Sequence, residues 1–192
     1  MATDFYTQHV GATLRPQADK VRAIFDTANG WEVWAQVELA LQMRQTMQGY
    51  DQFGLQFGSF ERERAMYEGS QQRCDFSSSF TDHNGHPHYH FVELKCLSKG
   101  KLDYFVGEVK KDFQKVMGAD IRQSWATNAW YAAGWVVAIT VDPGRRGGVD
   151  ARMQQLAQEM NIQWLNSGLT RITDDIQVWT WTRQIVQNGQ PV

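Results

Sequence analysis

The sequence predicts a single α/β domain in which a mixed sheet is flanked by helices. Its core order is helix, three meandering strands, helix, strand, over approximately 31–142, and an αβ extension follows at 143–192. Three observations predict this. Apolar residues recur at helical spacing in 31–48 and again in 102–118. Two β-rich runs, 72–80 and 87–97, flank an Asn-Gly turn signal. A continuous apolar run, GWVVAITVD at 134–142, ends in Pro143-Gly144 as a buried central strand would.

Taken in order, QADKVRAIFDTA (17–28) is a short helix stopped by Asn29-Gly30. WEVWAQVELALQMRQTMQ (31–48) is a longer one, with Val33, Val37, Ala40, Leu41 and Met47 at helical spacing and no Gly or Pro. The Gly-containing stretch 49–58 reads as a loop and SFERERAMYE (59–68) as a first strand. After the hairpin, Leu102, Phe105, Val106, Val109, Phe113, Val116 and Met117 mark one helix face. The Ala- and Trp-rich stretch 120–133 reads as a second helix. Asp150 is placed as the cap of a helix carrying Met153, Leu156, Ala157 and Met160, and strands near 162–165 and at 176–183 close the chain.

Composition narrows the function classes. An apolar fraction of 42% in 192 residues excludes intrinsic disorder. No run approaches the ~20 apolar residues of a membrane span, and the first residues lack the pattern of a signal peptide, so a cytoplasmic location without membrane contact is expected. Cys74 and Cys96, the only cysteines, are expected as buried free thiols. A net charge of −2 excludes a generic polyanion binder, yet six of the seven lysines fall between 95 and 115. Such a stripe suits a phosphate backbone or, equally simply, a solvated helix face.

The hairpin register tests itself. A two-residue Asn84-Gly85 turn pairs positions summing to 169 and mixes apolar with charged residues on both faces. A three-residue loop, His83-Asn84-Gly85, sets Cys74 opposite Leu94, Phe76 opposite Val92 and Phe80 opposite His88 on one mostly apolar face. The other face then carries Asp75 opposite Glu93 and Arg73 opposite Lys95. Hydrophobic sorting selects the second register, and it places two carboxylates side by side. Like charges so placed repel unless a cation lies between them. Mg²⁺ needs only one or two carboxylates plus substrate oxygens and water. Lys95, two residues beyond Glu93, projects from the same face and can orient water or balance charge on a phosphorane-like transition state. A second Glu-x-Lys, Glu108-Val109-Lys110, would serve with Glu93 if it lay on a strand, but the spacing around it is helical.

Asp75 in QRCDFSSSF and Glu93-Leu94-Lys95 in HFVELKCLS resemble the PD-(D/E)xK nuclease superfamily, which includes type II restriction enzymes. The resemblance spans roughly 31–142, with Cys74 where the motif has Pro. It implies a restriction-endonuclease-like αβββαβ core and a DNA endonuclease using Mg²⁺, with Mn²⁺ able to substitute. In that reading Asp75, Glu93 and the backbone carbonyl of Leu94 hold metal, and Lys95 positions water. A first-helix glutamate, Glu38 ahead of Glu32, assists. Asp112 and Lys115 lie near substrate, and homodimerisation is a further expectation. Lys99, Lys101, Lys111, Lys115, Arg145 and Arg146 are the candidate nucleic-acid contacts, DNA being favoured over RNA. Two rival readings share the fold: a catalytically silent domain that binds a protein partner, such as a toxin-neutralising protein, and a toxin nuclease delivered to other cells.

The remaining features read as structure. His86, His88 and His90 alternate along one strand face, more in keeping with a half-buried strand than with a zinc site. Most tryptophans suit a core better than base stacking.

Overall fold

The computed structural model describes residues 5–27, 31–46, 54–65, 67, 73–118, 128–143, 148–164 and 171–192. The chain is a mixed α/β fold built on a six-stranded mixed sheet with helices packed against it. Helices α1 (Phe5–Leu14), α2 (Ala18–Thr27) and α3 (Glu32–Thr46) precede strands β1 (Leu55–Arg64), β2 (Cys74–Asp82) and β3 (Pro87–Cys96). Helix α4 (Leu102–Gly118) leads to β4 (Tyr131–Val141), and α5 (Val149–Glu159) to β5 (Ile176–Gln187) and the short β6 (Gln190–Pro191). The strands stand in sequence order across the sheet. Only β3 and β4 run parallel, which is why the long connection carrying α4 separates them. Among the described residues no helix is long and apolar enough to cross a membrane.

The β2–β3 ladder adopts the register that hydrophobic sorting selects: Phe76 opposes Val92, Ser77 opposes Phe91 and Phe80 opposes His88. Gly85 takes φ 82°, and its amide donates to the Asp82 carbonyl to close the loop. One face of this ladder lies under α1. Tyr6 packs against Phe76, Trp135 and His90, and its hydroxyl meets Ser78 Oγ at 2.5 Å. His90 is fully buried there, and burial pushes its imidazole down to about 3, so it stays neutral as a core residue. On the other side Phe113 of α4 packs edge-on against Trp181 and beside Trp164, which in turn meets Trp179. Trp135, Trp164 and Trp179 are core residues.

Several boundaries and faces differ from expectation, each for a physical reason. Strand β1 begins at Leu55, inside the stretch read as loop. Gly58 is the unpaired residue of a register shift between Phe57 and Ser59, where a Cβ would lie 2.7 Å from Ser79 Oγ. In the stretch 120–133 read as helix, residues 119–127 lie outside the described residues. Residues 131–133 are strand, since the small buried Ala132 and Ala133 pair on both sides, with β3 and β5. Residues 162–164 form no strand, and Asp150 lies in the first turn of α5, whose cap position is Gly148. Cys74 does not face Leu94. It joins Tyr67 and Phe91 in a smaller buried cluster.

Helix α3 forms where its spacing predicts, but with the opposite face inward. Trp31, Ala35, Leu39 and Met43 are buried at that end of the fold, while Val33, Val37 and Leu41 are exposed. Helix α4 instead buries Phe105, Val106, Val109, Phe113 and Val116 of the predicted stripe, with one polar addition, Asp112, while Leu102 is half-buried and Met117 exposed.

Gly134 marks where α4 approaches closest. A Cβ at that position would sit 2.6 Å from Val116 Cγ1. Gly134→Ala is expected to force the helix off the sheet and lower stability by about 1–3 kcal/mol. Urea unfolding checks this, and an unchanged midpoint would refute the close contact.

Candidate active site

The β2–β3 ladder ends at Phe76↔Val92. One residue further on, Asp75 accepts a hydrogen bond from the Leu94 amide on its Oδ2 at 2.6 Å. The side chain thus takes the place of a backbone partner, which fixes the carboxylate beside β3 instead of letting it swing into solvent. Glu93 projects from β3 and is 2% exposed. Its Oε1 accepts from the Tyr67 hydroxyl and lies 2.7 Å from Lys115 Nζ. Lys95, two residues along, projects from the same face. Its Nζ donates to Glu32 Oε1 (3.1 Å) and to the Leu94 carbonyl (3.2 Å), and lies 3.6 Å from Asp112 Oδ2 and 3.9 Å from Asp75 Oδ2.

Helix α4 supplies the roof. Asp112 and Lys115, three residues apart, sit on one helix face and reach the carboxylate cluster from above the sheet. Lys115 Nζ also donates to the Arg73 carbonyl and stands over the Tyr67 ring, 5.0 Å from its centroid. From the other direction Glu32, in the first turn of α3, accepts on Oε2 from the Cys96 amide at 3.4 Å.

The electrostatics of this cluster are unbalanced. Four carboxylates (Asp75, Glu93, Asp112, Glu32) face two amines (Lys95, Lys115), so full ionisation leaves two negative charges uncompensated. Burial pushes Asp112 up to about 8, with Glu93 and Asp75 reinforcing the shift against Lys95. Burial likewise pushes Glu93 up to about 7, aided by Asp75 and opposed by Lys115. Glu32 is raised by burial, against the pull of Lys95. For Lys95 burial favours the neutral amine, yet Asp112, Asp75 and Glu32 outweigh it and hold the ammonium well above its usual range. Burial, with Glu93 nearby, pushes the Cys74 thiol up to about 12. Both cysteines are free and buried. Asp112 Oδ2 is buried with no hydrogen-bond partner, an expensive arrangement for an acid unless something else compensates it.

These residues fit a divalent cation in one particular manner. Among the described residues no group of three or more His, Cys, Asp or Glu side chains is arranged to hold a metal ion by itself. Mg²⁺, however, takes one or two carboxylates and completes its shell with water and substrate oxygens, so Asp75 and Glu93 are the residues that would hold one without a closed cage. Glu93, buried at 2% exposure, is a desolvated carboxylate that such a cation would compensate.

Not every expected residue arrives. Glu38 points elsewhere, pairing with Lys20 at 3.1 Å and accepting from Gln17, and these contacts hold its carboxyl below the usual range. Glu32 occupies the position assigned to it, because the inward face of α3 is the reverse of the one its spacing suggested. Lys99 pairs with Asp26 and Lys111 with Glu108, both on the exposed surface. Lys115 turns inward to Glu93. Arg145 and Arg146 lie outside the described residues. Glu108-Val109-Lys110 is helical, its ends paired to Lys111 and Glu159. Tyr67 carried no sequence signal, being a lone aromatic after a charged run. Asp112 carried one: it is an acid on an otherwise apolar helix stripe.

The acid–lysine cluster opens onto a cleft of about 570 Å³ lined by Glu32, Lys95, Cys96, Lys101, Tyr104 and Phe105, among others. No family model matches the chain, and neither a curated protein nor a solved structure matches it.

Proposed function

We propose that the protein is a Mg²⁺-dependent nuclease of restriction-endonuclease-like type that hydrolyses nucleic-acid phosphodiester bonds, with DNA the favoured substrate. The observation that carries this reading is the convergence of Asp75, Glu93 and Lys95 at the end of one ladder, with a buried Asp112 oxygen that accepts no hydrogen bond 3.6 Å from the Lys95 ammonium. The element order of helix, three strands, helix and strand supports the resemblance, while the choice of DNA rests on the resemblance alone.

Asp75 and Glu93 would hold the cation, which when bound polarises the scissile phosphate and acidifies a water. Asp75 is held for that role by the Leu94 amide, and Glu93 by Tyr67 and Lys115. The Lys95 ammonium, aimed by Glu32 and the Leu94 carbonyl, offers positive charge where the phosphorane-like transition state gains negative charge. Asp112, able to hold a proton near neutral pH, lies next to that ammonium.

A second reading has an observation of its own. Five of the six lysines in 95–115 are engaged in ion pairs, which leaves little free positive charge and favours a silent, protein-binding domain. Incubating plasmid and RNA with the protein and Mg²⁺ or Mn²⁺ separates the two. Cleavage that disappears in Asp75→Asn supports the nuclease, whereas intact substrate under both metals selects the binder.

A further inference from the structure

The cleft beside Lys95 gathers two outliers of the surface. Among the described residues Lys101 is the lysine of the 95–115 stripe that makes no ion pair, and it lines this cleft. Tyr104, one helical turn along α4, lines it too. At 70% exposure it is the most exposed of the large hydrophobic side chains among the described residues. An exposed aromatic ring and a cation without an ion pair stand three residues apart on one wall of the cleft. Together they match an aromatic base joined to a phosphate.

The cleft's dimensions and neighbours narrow the ligand. A volume of about 570 Å³ falls in the ~300–1,000 Å³ range of clefts that take one small ligand, which is room for a single nucleotide unit and not for a stacked duplex. The acids on its walls are already engaged, Glu32 with Lys95 and Glu108 with Lys111, so they leave Lys101 to set the local charge. Lys95 belongs both to this cleft and to the carboxylate cluster, so a nucleotide bound here adjoins the phosphate at the candidate centre.

We infer that this cleft holds one unpaired nucleotide, its base stacked on Tyr104 and its phosphate on Lys101, and hence that the protein selects single-stranded or locally unpaired nucleic acid. This rests on reading the site as one that acts on nucleic acid, and it adds the strandedness of the substrate.

Fluorescence anisotropy with a short labelled single-stranded deoxyoligonucleotide in EDTA tests the inference without any turnover. Tyr104→Ala is expected to weaken binding ~10-fold, as loss of one base–aromatic stack does, while Tyr104→Trp keeps it. With a probe whose residues are abasic, wild type and Tyr104→Ala should bind alike. Lys101→Ala should weaken all probes and reduce the salt dependence by about one phosphate contact. Tyr104 is surface-exposed, so unchanged melting of its variants should accompany these effects. The inference falls if Tyr104→Ala binds the normal probe as wild type does, if the duplex form binds as tightly as the single strand, or if no probe binds. Cleavage of plasmid with no role for Tyr104 would overturn the inference and leave the nuclease standing. Tyr104-dependent binding with no cleavage under any metal would do the reverse.

Discussion

Lys95→Ala is expected to lower phosphodiester cleavage by ~10²–10³-fold, the usual cost of losing one preorganised electrostatic group at a reacting centre. The same substitution has a structural cost. Lys95 stands among Glu32, Asp75 and Asp112, and removing its charge leaves three partly or fully buried carboxylates facing one another. Stripping one partner from a buried ion pair typically costs about 3 kcal/mol or more. The two effects separate on addition of Mg²⁺. On the proposed function, a cation between the carboxylates should restore much of the lost melting temperature, but it would not replace the Lys95 ammonium at the phosphate, so cleavage should stay low. Lys95→Arg is expected to recover little activity, since a planar fork does not reproduce a compact ammonium held by one carboxylate and one carbonyl. Thermal melts in EDTA and in Mg²⁺, run beside plasmid cleavage, provide both readouts. Wild-type cleavage by Lys95→Ala would remove this residue from the chemistry.

Asp112→Asn is expected to make the metal-free protein more stable at alkaline pH and to flatten its response to pH. In the folded chain burial pushes Asp112 from 3.8 to about 8 and Glu93 from 4.5 to about 7. A proton that the unfolded chain has released above about pH 5 is therefore still bound in the folded one. Stability from this source is fully present below the unfolded values and is lost as pH rises through about 7 and then about 8. Each retained proton makes the unfolding free energy fall by ~1.4 kcal/mol per pH unit across that window. The Asn variant removes one such proton, and with it a desolvated charge that Lys95 offsets at 3.6 Å, so its stability should fall less steeply than wild type's by up to ~1.4 kcal/mol per pH unit. Denaturant unfolding in EDTA at a series of pH values measures the slope directly. Stability that is flat or rising between about pH 5 and pH 8 in the wild type would contradict the burial argument.

Much of this architecture was legible in the chain, for reasons that can be stated residue by residue. The hairpin register followed from sorting Phe76, Phe80 and Val92 onto one face, because a period of two leaves only one alignment that does so. Helix α4 was legible because its apolar stripe is narrow and its other faces are charged. Helix α3 was legible as a helix but not as a face. It carries Trp31, Val33, Trp34, Ala35, Val37, Leu39, Leu41 and Met43, apolar nearly all round, so spacing alone could not say which side the sheet would cover. Spacing therefore does not separate Glu38 from Glu32, and the rotation of α3 that brings Glu32 to Lys95 is visible only in the fold.

By itself, then, the sequence determined the order of the central elements from α3 to α4, the pairing of β2 with β3, and the placing of Asp75, Glu93 and Lys95 near one another, since all of these follow from local periodicity and one turn, whereas α1 is not among the elements that spacing predicts. Tertiary structure alone decided that Glu32 reaches Lys95, that Tyr67 and Lys115 close on Glu93, and that Asp112 is buried beside the Lys95 ammonium. It also decided that Lys101 and Tyr104 share a cleft. Those facts depend on how α3 and α4 are rotated against the sheet, and rotation is set by packing between segments far apart in the chain, which no local spacing encodes.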